Sequence, residues 1–134
     1  MAQMKVSYLG SLRTEGTHIK SGNKIITDAP TDNNGKGEAY SPTDLLCSSL
    51  CSCMMTLMGI YANKESVSLE GLSADITKVM AANPRKVKEV IINFTIPELK
   101  ASKEQIEGLK HAALTCPVSL SLSEELKQTI SFNF

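Results

Sequence analysis

Hydrophobic and polar positions mix in three short runs near the start of the chain, over residues 5–12, 17–20 and 24–27. Runs of this length bounded by turn residues predict strands. Val6, Tyr8 and Leu9 carry the first run, and Ser21-Gly22-Asn23 supplies a turn between the second and third, so a three-stranded meander is expected. Residues 28–40, DAPTDNNGKGEAY, are polar and hold Pro30, Gly35 and Gly37. A loop of that length is uncommon in a small domain and is often functional or mobile.

The pattern then changes period. Ser41-Pro42-Thr43-Asp44 reads as a helix start: Ser41 caps, Pro42 suits the first helical position, and Asp44 completes a capping box. The helix is expected over residues 44–62, and after Asp44 its LLCSSLCSCMMTLMGIYA contains no charge. A surface helix keeps one charged face, so this one is expected to be buried all round. One chain's own sheet covers such a helix with difficulty, which predicts help from a second subunit.

Residues 72–80 alternate Leu72, Ala74 and Ile76 against Ser73, Asp75 and Thr77. Residues 86–96 set Val90, Ile92, Phe94 and Ile96 against Glu89, Ile91, Asn93 and Thr95, and Asn83-Pro84-Arg85 between the two runs predicts a hairpin. Ser102-Lys103-Glu104-Gln105 is a second capping box, followed by Ile106, Leu109, Ala113 and Cys116 at helical spacing. Pro117 interrupts that helix, residues 118–122 predict one more short helical turn, and Ile130, Phe132 and Phe134 alternate in a closing strand. The order of elements is an α+β pattern in one domain spanning residues 1–134. It is not the strand–helix alternation of a dinucleotide-binding fold, and no glycine-rich phosphate loop is present.

Charge and composition narrow the function classes. Fourteen basic and fourteen acidic side chains cancel, so the basic excess that displaces phosphate counterions is missing and nucleic acid is not an expected partner. No Trp and few aromatic rings argue against base stacking. No unbroken apolar run approaches the ~18 residues of a membrane span, so no membrane partner is expected. The opening residues MAQMKV lack the apolar stretch of a secretory signal. The expected compartment is the cytoplasm, where four cysteines are thiols, metal ligands or redox centres rather than a disulfide framework.

Cys47 and Cys51, at i and i+4, need do no more than fill space beside Leu50 and Met54. A thiolate metal site from Cys47, Cys51, Cys53 and Cys116 is disfavoured, because Cys51 and Cys53 diverge on a helix and structural zinc sites take ligand pairs from turns; no metal and no cofactor are expected. Cys116 stands just before Pro117, where a restarting helix offers unpaired N–H groups that favour a thiolate. Cys53 lies inside its helix and would need an external cation. Arg13 and Arg85 are the only arginines. Arg85 follows a loop proline and reads as a solvated turn residue, whereas Arg13 leads into a strand that would fix its guanidinium, a surface ion pair being its plainer role. His18 and His111 lack a matching acid and read as structural or surface residues, and no G-x-S-x-G elbow supports serine hydrolysis.

Two segments carry a resemblance: Ser41-Pro42-Thr43-Asp44-Leu45-Leu46 followed by Cys53, and Thr115-Cys116-Pro117-Val118-Ser119. Their spacing and the order of elements resemble the OsmC/Ohr family, osmotically inducible protein C and organic hydroperoxide resistance protein. The resemblance implies an OsmC-like fold: an intertwined homodimer whose long buried central helices are wrapped by antiparallel β-sheets, with active sites at the interface. It also implies a thiol peroxidase of oxidative stress that reduces organic hydroperoxides. Cys53 would attack the peroxide and become a sulfenic acid, Cys116 would resolve it as a Cys53–Cys116 disulfide, and an external dithiol would reopen that bond. Arg13 would match the arginine that steadies the thiolate and orients the peroxide. One position departs from the family: Thr43 stands where the peroxidases carry a glutamate paired with that arginine. Asp44 is one residue later, rotated ~100° around the helix and suited to capping. Thr43 and Asp44 are thus only possible supporting residues. The departure keeps a second reading open, a non-catalytic member that binds a small apolar or thiol metabolite at the interface.

Overall fold

The structure, a computed structural model, describes all residues 1–134. The chain folds as two compact units, Met1–Leu46 and Cys47–Phe134.

The first unit is an antiparallel meander, β1 (Met4–Gly10), β2 (Arg13–His18) and β3 (Lys24–Asp28). The strand expected over residues 17–20 lies earlier. Its last residues instead enter the β2–β3 turn, which the His18 N–H closes on the Asn23 carbonyl at 2.8 Å. The first strand likewise stops before residue 12, because Ser11 and Leu12 turn the chain with positive φ of 53° and 61°, the sign that tight hairpin turns require. The long polar loop is ordered by backbone bonds. The Asp28 N–H donates to the Tyr40 carbonyl at 3.0 Å and the Gly37 N–H to the Ala29 carbonyl at 3.1 Å. Gly35 packs against the Ala29 backbone so closely that a Cβ would collide with it, which is why that position carries no side chain.

Helix α1 (Pro42–Lys64) begins with the expected reciprocal cap: the Asp44 N–H donates to Ser41 Oγ at 3.1 Å and the Ser41 N–H to Asp44 Oδ2 at 3.0 Å. Burial all round is not what a single chain provides. Cys47, Leu50, Cys51, Met54, Met58 and Ala62 form one buried stripe, while Ser52, Thr56 and Ile60 are exposed. Nor does the expectation about membrane-length segments hold, since α1 is long and apolar enough to cross a membrane by length and composition. Interspersed Ser and Thr hide this from a search for an unbroken apolar run.

The second unit packs the rest of α1 with β4 (Ser73–Ala81), β5 (Lys86–Thr95), α2 (Lys103–Leu114), α3 (Pro117–Ser121) and β6 (Lys127–Asn133). β4 and β5 form the expected hairpin, and Val90, Ile92, Phe94 and Ile96 are buried as their alternation predicts. A bulge at Val79/Met80 shifts the pairing by one residue, which lets Val87 turn inward as well. β6 joins β5 in parallel, so this sheet is mixed rather than antiparallel throughout. The helical crossover through α2 and α3 returns the chain to the end where β5 began, and that connection dictates the parallel sense. Phe132 of β6 stacks on Phe94 with ring centroids 5.5 Å apart. On α2, the Ser102–Gln105 capping box forms as expected, and Leu109, Ala113 and the following Cys116 are buried. Gly108 of α2 faces the Tyr61 ring of α1, which leaves no space for a Cβ.

Candidate active site

Pro117 decides the backbone at Cys116. A residue before proline is driven out of the helical region, and Cys116 accordingly has φ −71° and ψ 150°. α2 ends, and Cys116 becomes the N-cap of α3. Its Sγ accepts the Ser119 N–H at 3.4 Å, and the Val118 N–H also favours its charge. The side chain is completely buried, and the thiol of Cys53, half-buried on α1, lies near enough to act on it. All four cysteines are free thiols.

The expectation that the helix restart would favour a Cys116 thiolate is overturned by burial. Desolvation pushes the thiol above its ordinary value; the Ser119 N–H works against that shift, and neighbouring Cys53 adds to it. Cys51 is also pushed up by burial, and with the buried Cys47 it lines the core stripe of α1, as its space-filling reading requires. No group of three His, Cys, Asp or Glu side chains is arranged to hold a metal.

In the first unit, Arg13 opens β2 directly opposite Asp28 of β3. The pair is bidentate, Nε to Oδ1 at 2.6 Å and Nη2 to Oδ2 at 2.8 Å, with Glu38 Oε1 a further 3.4 Å contact of Nη2. Asp28 is buried and also accepts the Glu38 N–H at 3.2 Å. Hydrogen bonding to Arg13 holds its carboxyl below the usual range against the opposing effect of burial. Arg13 is therefore fixed on its strand, and its principal carboxylate is Asp28. Asp28 is absent from the sequence reading: counting outward from Ser21-Gly22-Asn23 would set residue 31 across from Arg13, whereas the turn is wider and pairs Thr17 with Lys24 and Arg13 with Asp28. At the start of α1, the Asp44 carboxylate is engaged in the cap, and the Thr43 and Ser41 hydroxyls lie 3.2 Å apart.

The sequence pattern of the OsmC-like protein family matches residues 35–131. Among solved structures, the chain is similar to a Psychrobacter arcticus protein provisionally described as an osmotic stress induced and detoxification response protein. That match has 47% identity and a TM-score of 0.94, covering 99% of this chain and 96% of that one. An organic hydroperoxide resistance protein OsmC from Legionella pneumophila matches at 20% identity and a TM-score of 0.75, over 100% and 98% of the two chains. An OsmC-like protein from Mycoplasma pneumoniae matches at 16% identity and a TM-score of 0.80, over 99% and 96%. These two more distant matches share the fold. The search of curated proteins found no match. With more than half of its length inside the family pattern, the chain belongs to the OsmC-like protein family.

Proposed function

We propose that this protein is a homodimeric, cytoplasmic thiol peroxidase that reduces organic hydroperoxides. The observation that carries the reading is that the Cys53 thiol lies near enough to the buried Cys116 thiol to act on it. The Cys53 thiolate attacks one peroxide oxygen, the O–O bond breaks, and an alkoxide leaves to take a proton from water while Cys53 becomes a sulfenic acid. The Cys116 thiolate then displaces hydroxide from that sulfur to form the Cys53–Cys116 disulfide. An external dithiol returns both residues to thiols and leaves as its own disulfide. Buried Leu50 and Met54 beside the cysteines of α1 suit an apolar alkyl peroxide better than hydrogen peroxide. Arg13 is the cation that the family resemblance assigns to orienting the peroxide, and in this chain Asp28 takes the part of its carboxylate partner, since Thr43 has no charge.

A second copy of the chain is supported by what one copy leaves uncovered. Met4, Val6, Tyr8 and Ile25 share one face of the first sheet by register and are all exposed, an apolar surface of the kind that marks an interface. Peroxide consumption coupled to a dithiol such as dithiothreitol tests the reading. Turnover of an alkyl hydroperoxide that disappears in Cys53→Ser supports it. No turnover, with all thiols still reduced and a co-purified small molecule, favours the binding protein instead.

A further inference from the structure

We infer that Gln128 of β6 is a positioning residue for the resolving thiol, a role that rests on the Cys53–Cys116 chemistry proposed above. β6 turns Gln128, Ile130 and Phe132 to the same side of the sheet, where Phe132 meets the fully buried Phe94. Gln128 is half-buried there, and a primary amide partly withdrawn from water gains when both of its halves are paired. One residue pairs them both. Ser119 Oγ donates to Gln128 Oε1 at 2.6 Å, and Gln128 Nε2 donates to the Ser119 carbonyl at 3.2 Å.

Ser119 is also the residue whose N–H reaches Cys116 Sγ. Its three polar handles are therefore divided: the hydroxyl and carbonyl are gripped by the strand, and the N–H is presented to the sulfur. α3 has only five residues, too few to hold a helical turn by propensity alone. The strand-borne amide supplies the missing rigidity and fixes where the Ser119 N–H points. That N–H holds the Cys116 sulfur, on which Cys53 also acts, so Gln128 reaches the resolving sulfur at one remove, through a residue it touches twice.

The test compares wild type, Gln128→Leu and Ser119→Ala, each verified as folded by circular dichroism. Gln128→Leu removes both strand contacts, and Ser119→Ala removes only the hydroxyl contact. The first measurement is the pH profile of Cys116 alkylation by iodoacetamide in a Cys53→Ser background. The second is the rate of Cys53–Cys116 disulfide formation relative to Cys53 oxidation after one equivalent of cumene hydroperoxide. Gln128→Leu is expected to move the alkylation midpoint upward and to slow disulfide formation relative to oxidation about tenfold, the scale of a weakened hydrogen bond to an ionised group. Ser119→Ala is expected to do the same to a smaller degree, and it decides the matter if Gln128→Leu does not fold. Profiles and rate ratios that coincide with wild type overturn the role of Gln128. If wild type forms no Cys53–Cys116 disulfide, the peroxidase reading falls by itself, and the alkylation profiles still decide whether Gln128 positions the sulfur.

Discussion

In the proposed reaction, burial of Cys116 should slow its attack on the Cys53 sulfenic acid at neutral pH, and the perturbation that exposes this is pH itself. The Cys116 side chain has no solvent exposure, and desolvation raises its thiol above the ordinary value in spite of the Ser119 and Val118 N–H groups. For a thiol above the free value of ~8.5, less than about one tenth is thiolate at pH 7.5, and that fraction grows about tenfold per pH unit. Disulfide formation from the Cys53 sulfenic acid should therefore accelerate almost a hundredfold between pH 6.5 and 8.5 and keep rising beyond. An ordinary thiol would bend near ~8.5, and a helix-stabilised thiolate would level off near ~7. The assay is rapid mixing with one equivalent of an alkyl hydroperoxide, quenching with an alkylating reagent at intervals, and non-reducing peptide mapping. At pH 6.5 the sulfenic acid should persist long enough for dimedone to label Cys53, as it should at every pH in Cys116→Ser. A resolving rate that is flat from pH 7 upward would refute the reasoning, because it would mean that the N–H donors outweigh burial.

Two further predictions concern the fold and the arginine. Phe94 is fully buried and stacked on Phe132, so Phe94→Ala should cost about 3–5 kcal/mol, of which about 0.5–1.5 is the ring pair. Urea unfolding measures it, and a loss below about 1 kcal/mol would contradict the packing described. Arg13 holds the Asp28 carboxyl below its usual value, so the folded protein binds fewer protons there than the unfolded chain. The stability this contributes is present above the ordinary carboxylate value of ~3.9 and is lost as pH falls through the lowered folded value. Asp28→Asn should accordingly remove part of the acid-induced loss of stability below about pH 4; an acid limb identical to wild type, followed by circular dichroism, would show that the pair is not linked to folding.

Much of the fold was legible because local signals agreed with one another. Both capping boxes form, and the alternation through Val90, Ile92, Phe94 and Ile96 marks the buried side of β5. The misses have physical causes. Ser11 and Leu12 make a turn without the Asn-Gly signature of such turns, and the parallel sense of β6 follows from a crossover that periodicity does not encode. The uncharged sequence of α1 predicted burial on every side, but composition says only that the helix avoids charge, and one chain covers one stripe of it. At the site, Cys53 and Cys116 were singled out through their motifs, and their thiols lie near enough to interact. Asp28 was not, since a cross-strand ion pair depends on register, which a shifted β2 leaves open until the hairpin is seen. The electrostatics of Cys116 was misread for a related reason: sequence reveals the helix restart at Pro117 but not how completely the sulfur is desolvated.

The account stands most directly on which sulfurs join. The measurement is peptide mapping under non-reducing conditions after the reduced protein receives one equivalent of cumene hydroperoxide. The account predicts a single disulfide between Cys53 and Cys116, with Cys47 and Cys51 still thiols and no disulfide in Cys53→Ser. Four unchanged thiols, or a disulfide that recruits Cys47 or Cys51 in place of Cys116, would contradict it.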